Sequence, residues 1–160
     1  MRTIKAKPIT TENFAPYGSF VDVLNPTGSS LGNFYNDKVL YPVSGSMPVG
    51  FSPMIAEKPE EMIVTAAEYH NTTGEVMLPL DDDVVLHVAP PSKGPVPELT
   101  EAFIVPKGTL IRINTGVWHK GMLPLNLEKA HILIVLPERI YMNDCNIITY
   151  PEEDQIKIEL

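Results

Sequence analysis

The chain has 160 residues, one ordinary domain with enough interior to bury a core. Its 12 Lys and Arg against 20 Asp and Glu leave a net charge of −8, which argues against binding the phosphate backbone of a nucleic acid or an anionic membrane surface. A single cysteine, Cys145, excludes a disulfide framework and a multi-cysteine zinc site. Hydrophobic residues make up 44% of the chain, a globular rather than a disordered composition. The opening MRTIKAKPIT lacks the apolar stretch of a secretory signal, and the longest apolar run, Ile132 to Leu136, is too short to span a bilayer. The expectation is one soluble, cytoplasmic domain over residues 1–160, with no nucleic-acid or membrane partner.

Proline is unusually frequent, 16 residues spread along the chain, about twice the ordinary ~5%. Prolines at this density interrupt long helices, so short strands joined by turns are expected, with little helix. In chain order, Thr10 or Thr11 caps a short helical turn through Glu12, Asn13 and Phe14, which Pro16 and Gly18 stop. Phe20 to Leu24 reads as a strand. Asn25 to Asn33 is a loop rich in Gly, Ser and Pro, and Tyr35 to Pro53 holds weak strands.

The second half is more regular. Ile63–His70, Glu75–Leu80, Val84–Ala89, Glu101–Val105, Leu110–Ile113 and His131–Leu136 are strand candidates, each separated from the next by turn residues. Strands at this spacing imply an all-β antiparallel sandwich or barrel.

Four histidines are present: His70, His87, His119 and His131. Glu68 and His70 are two apart on a strand and so share a face. Glu75 opens the next strand, and Gly116 turns the chain just before Trp118 and His119. Together Glu68, His70, Glu75 and His119 form a mixed nitrogen and oxygen set suited to a divalent ion such as Mn, Fe, Ni, Co or Zn, with positions left open for substrate. Arg112, between Ile111 and Ile113, is a solvent residue if those isoleucines are core, and a clamp for a substrate carboxylate if it points inward. Lys120 is a surface residue or, beside His119, a proton donor. Trp118 reads as core or as the wall of a substrate pocket. His87 and His131 read as structural, Asp81-Asp82-Asp83 as a turn without calcium-loop spacing, and Cys145 as lacking any activating partner.

The Glu68-x-His70 pair followed by Glu75 resembles the first cupin motif, with Glu68 where the first His usually stands. Asn114-Thr115-Gly116-Val117-Trp118-His119 resembles the second, with Asn114 in place of Pro. A closer resemblance, over nearly the whole chain, is to the ureidoglycolate lyase family of cupins. It is carried by Phe14-Ala15-Pro16-Tyr17-Gly18, by Glu68-Tyr69-His70 with Gly74, by Val117-Trp118-His119, and by Asp144-Cys145-Asn146 with Pro151-Glu152.

The resemblance implies a cupin double-stranded β-helix, a small antiparallel barrel with a short N-terminal helix. It also implies a lyase releasing urea and glyoxylate from a 2-hydroxy acid in allantoin degradation, a branch of purine metabolism. In that reading the substrate's carboxylate and hydroxyl chelate one metal, Glu68 or Glu75 is the base if not a ligand, Arg112 holds the carboxylate and Lys120 protonates the leaving nitrogen. Glu75 and Lys120 stand where the family usually has Gln and a second His, so a different hydroxy acid or sugar acid is the alternative substrate, and a non-enzymatic acid-binding cupin a further one. Edge strands and an exposed apolar sheet face lead to the expectation of a homodimer.

Overall fold

A computed structural model describes residues 1–160. Its strands in chain order are β1 (Arg2–Lys5), β2 (Lys7–Pro8), β3 (Gly18–Asp22), β4 (Val49–Glu57), β5 (Ile63–Val64), β6 (Ala66–Tyr69), β7 (Glu75–Pro79), β8 (Val84–Ala89), β9 (Glu101–Val105), β10 (Thr109–Ile113), β11 (Trp118–Pro124), β12 (Lys129–Pro137), β13 (Asn146–Thr149) and β14 (Ile156–Glu159). Two short helices, α1 (Thr11–Phe14) and α2 (Ile140–Asn143), complete the regular structure, and neither is long or apolar enough to cross a membrane.

The helix α1 forms where its cap requires it. The Thr10 hydroxyl accepts the Asn13 amide at 3.2 Å and the Asn13 side chain accepts the Thr10 amide at 2.9 Å, a reciprocal capping box. The helix drives Phe14 into the core, edge-on to Phe103 with ring centroids 5.4 Å apart, where burial of each ring contributes roughly 1.5–3 kcal/mol.

The strands form two facing sheets, as the cupin reading requires: a five-stranded sheet in the order β3-β10-β7-β12-β4 and a six-stranded one in the order β13-β6-β11-β8-β9-β2. They are separate ladders with free edges, so the expected small barrel is instead an open β-sandwich. Phe14, Met77, Leu86, Val88, Phe103, Ile111, Ile113 and Ile132 fill the space between them. A third, small sheet, β1-β14-β5, covers the outer face of the six-stranded sheet, and Val64, Val85, Ala89, Trp118, Ile156 and Ile158 form a second core there. β8 is therefore buried on both faces, which explains its unbroken apolar run.

Several expected boundaries shift for local reasons. The candidate strand Ile63–His70 divides at Thr65, because β5 pairs with β14 while β6 pairs with β11 and β13. The weak strands expected in Tyr35–Pro53 do not form over residues 35–48; only the end of that stretch enters a strand, β4, which continues to Glu57 and pairs with β12 along its whole length. Pro53 interrupts its sequence signal, but β4 is an edge strand, where a missing N–H is tolerated. The terminal strands β1, β13 and β14 are four residues each, and although β14 alternates strictly as Ile-Lys-Ile-Glu, its run is short.

The three adjacent aspartates act as loop ties. Asp81 accepts His131, Asp82 accepts Asn126 and Leu127, and Asp83 accepts the Lys107 amide.

His87 lies on the outer face of the six-stranded sheet, 5% exposed. Burial, with the charges of His119 and Lys120 nearby, pushes its pKa down to about 3. An unfolded histidine titrates near 6.5. Between these values only the unfolded chain binds the proton, so the stability His87 contributes is full above pH 6.5 and is lost as pH falls toward 3. In metal-free protein, His87→Leu is expected to flatten the acid limb of stability by about 2 kcal/mol between pH 6.5 and 4.5, measured by urea unfolding of both proteins across that range.

Candidate active site

Between β6 and β7 the chain crosses from one main sheet to the other, and the residues of that crossing build the site. The turn is clamped from outside by Asp144, whose carboxylate accepts the amides of Asn71 and Thr72 at 2.9 and 2.8 Å and the Thr72 hydroxyl at 2.6 Å. On its other side the His70 carbonyl accepts the Gly116 amide at 2.9 Å. Gly74 is required at the end of the turn, since a Cβ there would lie 2.2 Å from the Ile113 carbonyl oxygen. The crossing delivers His70 from the six-stranded side and Glu75 from the five-stranded side, while His119 enters from β11.

His70, Glu75 and His119 meet in the interior, 3%, 5% and 1% exposed. Their ligating atoms all lie within 4.8 Å of one another. His70 Nε2 is 2.9 Å and His119 Nε2 3.0 Å from the same oxygen, Glu75 Oε2. The far nitrogens are also fixed: His70 Nδ1 donates to the Asp144 carbonyl at 2.7 Å and His119 Nδ1 donates to the Val117 carbonyl at 2.8 Å.

A carbonyl has no proton to give, so Nδ1 carries the proton on both rings. In a neutral imidazole of that tautomer, Nε2 presents a lone pair to the carboxylate. Two acceptors then face each other twice over, a contact that only a proton or a cation relieves. Burial favours the uncharged forms, but the imidazoles outweigh it at Glu75 and hold its pKa down to about 2. At His70 burial is likewise outweighed, by the Glu75 carboxylate and the Asp144 carbonyl, and its pKa is raised. Two imidazole nitrogens and a carboxylate oxygen, with each Nδ1–H held by a carbonyl, are the donor set and outer support of a divalent metal site. The residues fit such an ion.

Glu68, the fourth expected ligand, lies outside this cluster. It lines the same cavity, where its Oε2 is 3.4 Å from Lys120 Nζ and 3.5 Å from Cys145 Sγ. Burial and the Glu68 charge push the Cys145 thiol up to about 11, so it is no nucleophile. Lys120 is half-exposed and reaches the site only through Glu68.

Trp118 is buried in the second core, 4.4 Å from Tyr69 between ring centroids and bonded through Nε1 to Ser92 Oγ; the cavity wall does not include it. Arg112 is directly opposite Val76, while its neighbours Ile111 and Ile113 are opposite Met77 and Glu75. Paired residues share a face, so Arg112 stands on the outer side of the five-stranded sheet, away from the cluster.

The cavity above Glu75 has a volume of about 360 Å³. Met54, Met77, Ile134 and Leu136 form an apolar wall, and the segment Pro137–Tyr141 frames the opening with Arg139 and Tyr141. Arg139, in the left-handed backbone region at φ 62°, is the cationic side chain of that lining. Composition did not single it out: it follows the strand-ending Pro137, and only the three-dimensional path of β12 brings it over the site.

The family model described as ureidoglycolate lyase matches residues 1–159. The chain is 29% identical to the ureidoglycolate lyase of Pseudomonas aeruginosa (strain LESB58), over 99% of this chain and 97% of that one. It is 26% identical to the ureidoglycolate lyase of Stutzerimonas stutzeri (strain A1501), over 99% and 96%. Among solved structures it overlaps RmlC from Streptococcus suis at a TM-score of 0.35 and 11% identity, covering 66% of this chain and 46% of that one. With the matched region taking in the crossing turn, both histidines and the Asp144 clamp, the chain belongs to the ureidoglycolate lyase family.

Proposed function

We propose that this protein is a cytoplasmic carbon–nitrogen lyase that splits ureidoglycolate into urea and glyoxylate, in allantoin degradation. The observation that carries the reading is the buried His70–Glu75–His119 cluster at the base of a cavity in a chain of this family. When bound by those three residues, a divalent ion supplies a positive charge that lowers the pKa of a substrate hydroxyl beside it.

The chain's own groups account for the rest. Glu68, on the cavity wall, accepts the proton of the 2-hydroxyl. As the carbonyl forms at that carbon, the C–N bond breaks and its electron pair goes to the urea nitrogen. Lys120, outside the cavity lining and 3.4 Å from Glu68, acts through it: Glu68 passes the proton to that nitrogen, and Lys120 holds the Glu68 charge. Arg139 pairs with the substrate carboxylate, the role considered above for Arg112, because Arg139 lines the cavity and Arg112 does not. The apolar wall excludes water and strengthens each charge interaction inside.

Purified protein given ureidoglycolate is expected to release urea and glyoxylate in equal amounts, and His119→Ala to lose both bound metal and turnover. Active, metal-retaining His119→Ala protein would exclude the reading. Glu75 and Lys120 favour a second reading, another hydroxy acid or sugar acid at the same cluster; turnover of such an acid, with none of ureidoglycolate, would select it.

Arg139→Gln is expected to raise KM at least tenfold with unfolding midpoint unchanged, since the side chain is 68% exposed and paired only with its neighbour Glu138. A KM equal to that of the parent protein would remove Arg139 from the carboxylate site.

A homodimer is also proposed. β4 is an edge strand whose outer side bears Phe51 and Ile55, 69% and 59% exposed, an uncovered template for a second copy. Light scattering should give twice the monomer mass, and Phe51→Lys with Ile55→Lys should give the monomer.

A further inference from the structure

We propose a second binding site, for a small oxyanion such as a phosphate or a carboxylate, on the outer face of the five-stranded sheet at Arg112. The outer row runs Ser19, Arg112, Val76, Val135, Phe51 from strand to strand. Val76 and Val135 in that row are buried, 5% and 8% exposed, although they face away from the main core. Beside them an open cavity of about 220 Å³ lies between the Pro42–Ser44 segment and the crossing turn. Its polar lining is Arg112, Ser44, Thr72, Thr73 and Thr115, with Gly74.

Arg112 is the group that points to a ligand. A guanidinium offers five N–H donors and remains charged at all working pH values. None of the chain's hydrogen bonds or ion pairs uses it, and its Nε is buried without any partner. Elsewhere the chain provides carboxylates freely, its net charge being −8, yet no acidic side chain lies within ion-pair distance of this cation. Buried donors are ordinarily paired, and a planar fork of this kind is matched by two oxygens of one anion.

The surroundings supply what a second layer of contacts needs. Four hydroxyl side chains border the cavity; Thr72 and Thr73 already donate to Asp144 and to the Gly74 carbonyl, which leaves Ser44 and Thr115 to donate to an anion. Tyr41 holds the turn in place by bonding Thr73 Oγ1 at 3.1 Å and the Gly74 carbonyl at 3.3 Å. Gly74 lies alongside the buried nitrogen: a Cβ placed there would be 3.7 Å from Arg112 Nε. The site is separated from the catalytic cavity by the sheet itself and shares no lining residue with it.

The test is calorimetric titration of the metal-free protein with inorganic phosphate and, in a separate arm, with acetate, each repeated on Arg112→Gln, Arg112→Lys and Arg139→Gln. Saturable binding is expected in the parent protein and in Arg139→Gln, weakened at least tenfold in Arg112→Gln and less in Arg112→Lys. The stronger arm identifies the anion class. A selenate soak of parent crystals, which needs no variant to fold, should place an anomalous peak against the Arg112 guanidinium. Equal binding by the parent and Arg112→Gln, loss of binding in Arg139→Gln alone, or no selenate at Arg112 would each overturn the assignment.

Discussion

Glu75 Oε2 lies between two imidazole nitrogens, one brought by each of two distant stretches of chain, and the architecture around it exists to keep that contact in place. A lone carboxylate in such a position is strongly disfavoured, because burial removes its hydration at a cost of several kcal/mol. The two imidazoles offset that cost only if their geometry is held. The supports are therefore as informative as the cluster: carbonyls at both Nδ1 atoms, Asp144 on the turn, and Gly74 against the Ile113 carbonyl. Without them the rings would rotate, and the lone pairs that could hold a divalent ion would have no common focus.

The crossing turn also explains why one short segment carries so much of the chemistry. β6 belongs to the six-stranded sheet and β7 to the five-stranded one, so the residues between them pass over the end of the sandwich. A side chain at either end of that passage points into the gap between sheets. Glu68 and His70 on one side and Glu75 on the other are delivered to the same cavity by a chain reversal of a few residues. β11, paired to β6 through His119 and Glu68, closes the remaining side. The His70–Glu75–His119 cluster and Glu68 are thus neighbours by register.

Alternation and turn residues were enough to find the all-β class, the capped helix α1 and the strands β8 and β9 with their ends. They were also enough to bring His70, Glu75 and His119 forward as a group. What they could not convey is where a residue sits across a sheet. Glu68 and His70 do share a cavity, as their i, i+2 spacing suggests, yet Glu68 lies outside the three-ligand focus because the strand ends between them and His70 already belongs to the turn. β4 was obscured by Pro53, which an edge strand tolerates. The third sheet was invisible because β1 and β14 join the two ends of the chain, a pairing that no local pattern records.

Arg112 and Arg139 show how this limit bears on function. At Arg112 the flanking isoleucines carried the answer: if Ile111 and Ile113 are core, period-two geometry sends the arginine to the opposite face. Their full burial settles which side each residue takes. Arg139 has no such pattern around it. It follows a proline that ends β12, takes a left-handed backbone conformation, and reaches the cavity mouth because β12 runs the length of the sheet before stopping there. A cation that closes a site from a loop is positioned by the length and direction of the preceding strand, so its role emerges only once the register of that strand against β4 and β7 is known. The two arginines thus serve opposite faces of one sheet, and the strand between them, β7, carries Glu75 toward one and Val76 toward the other.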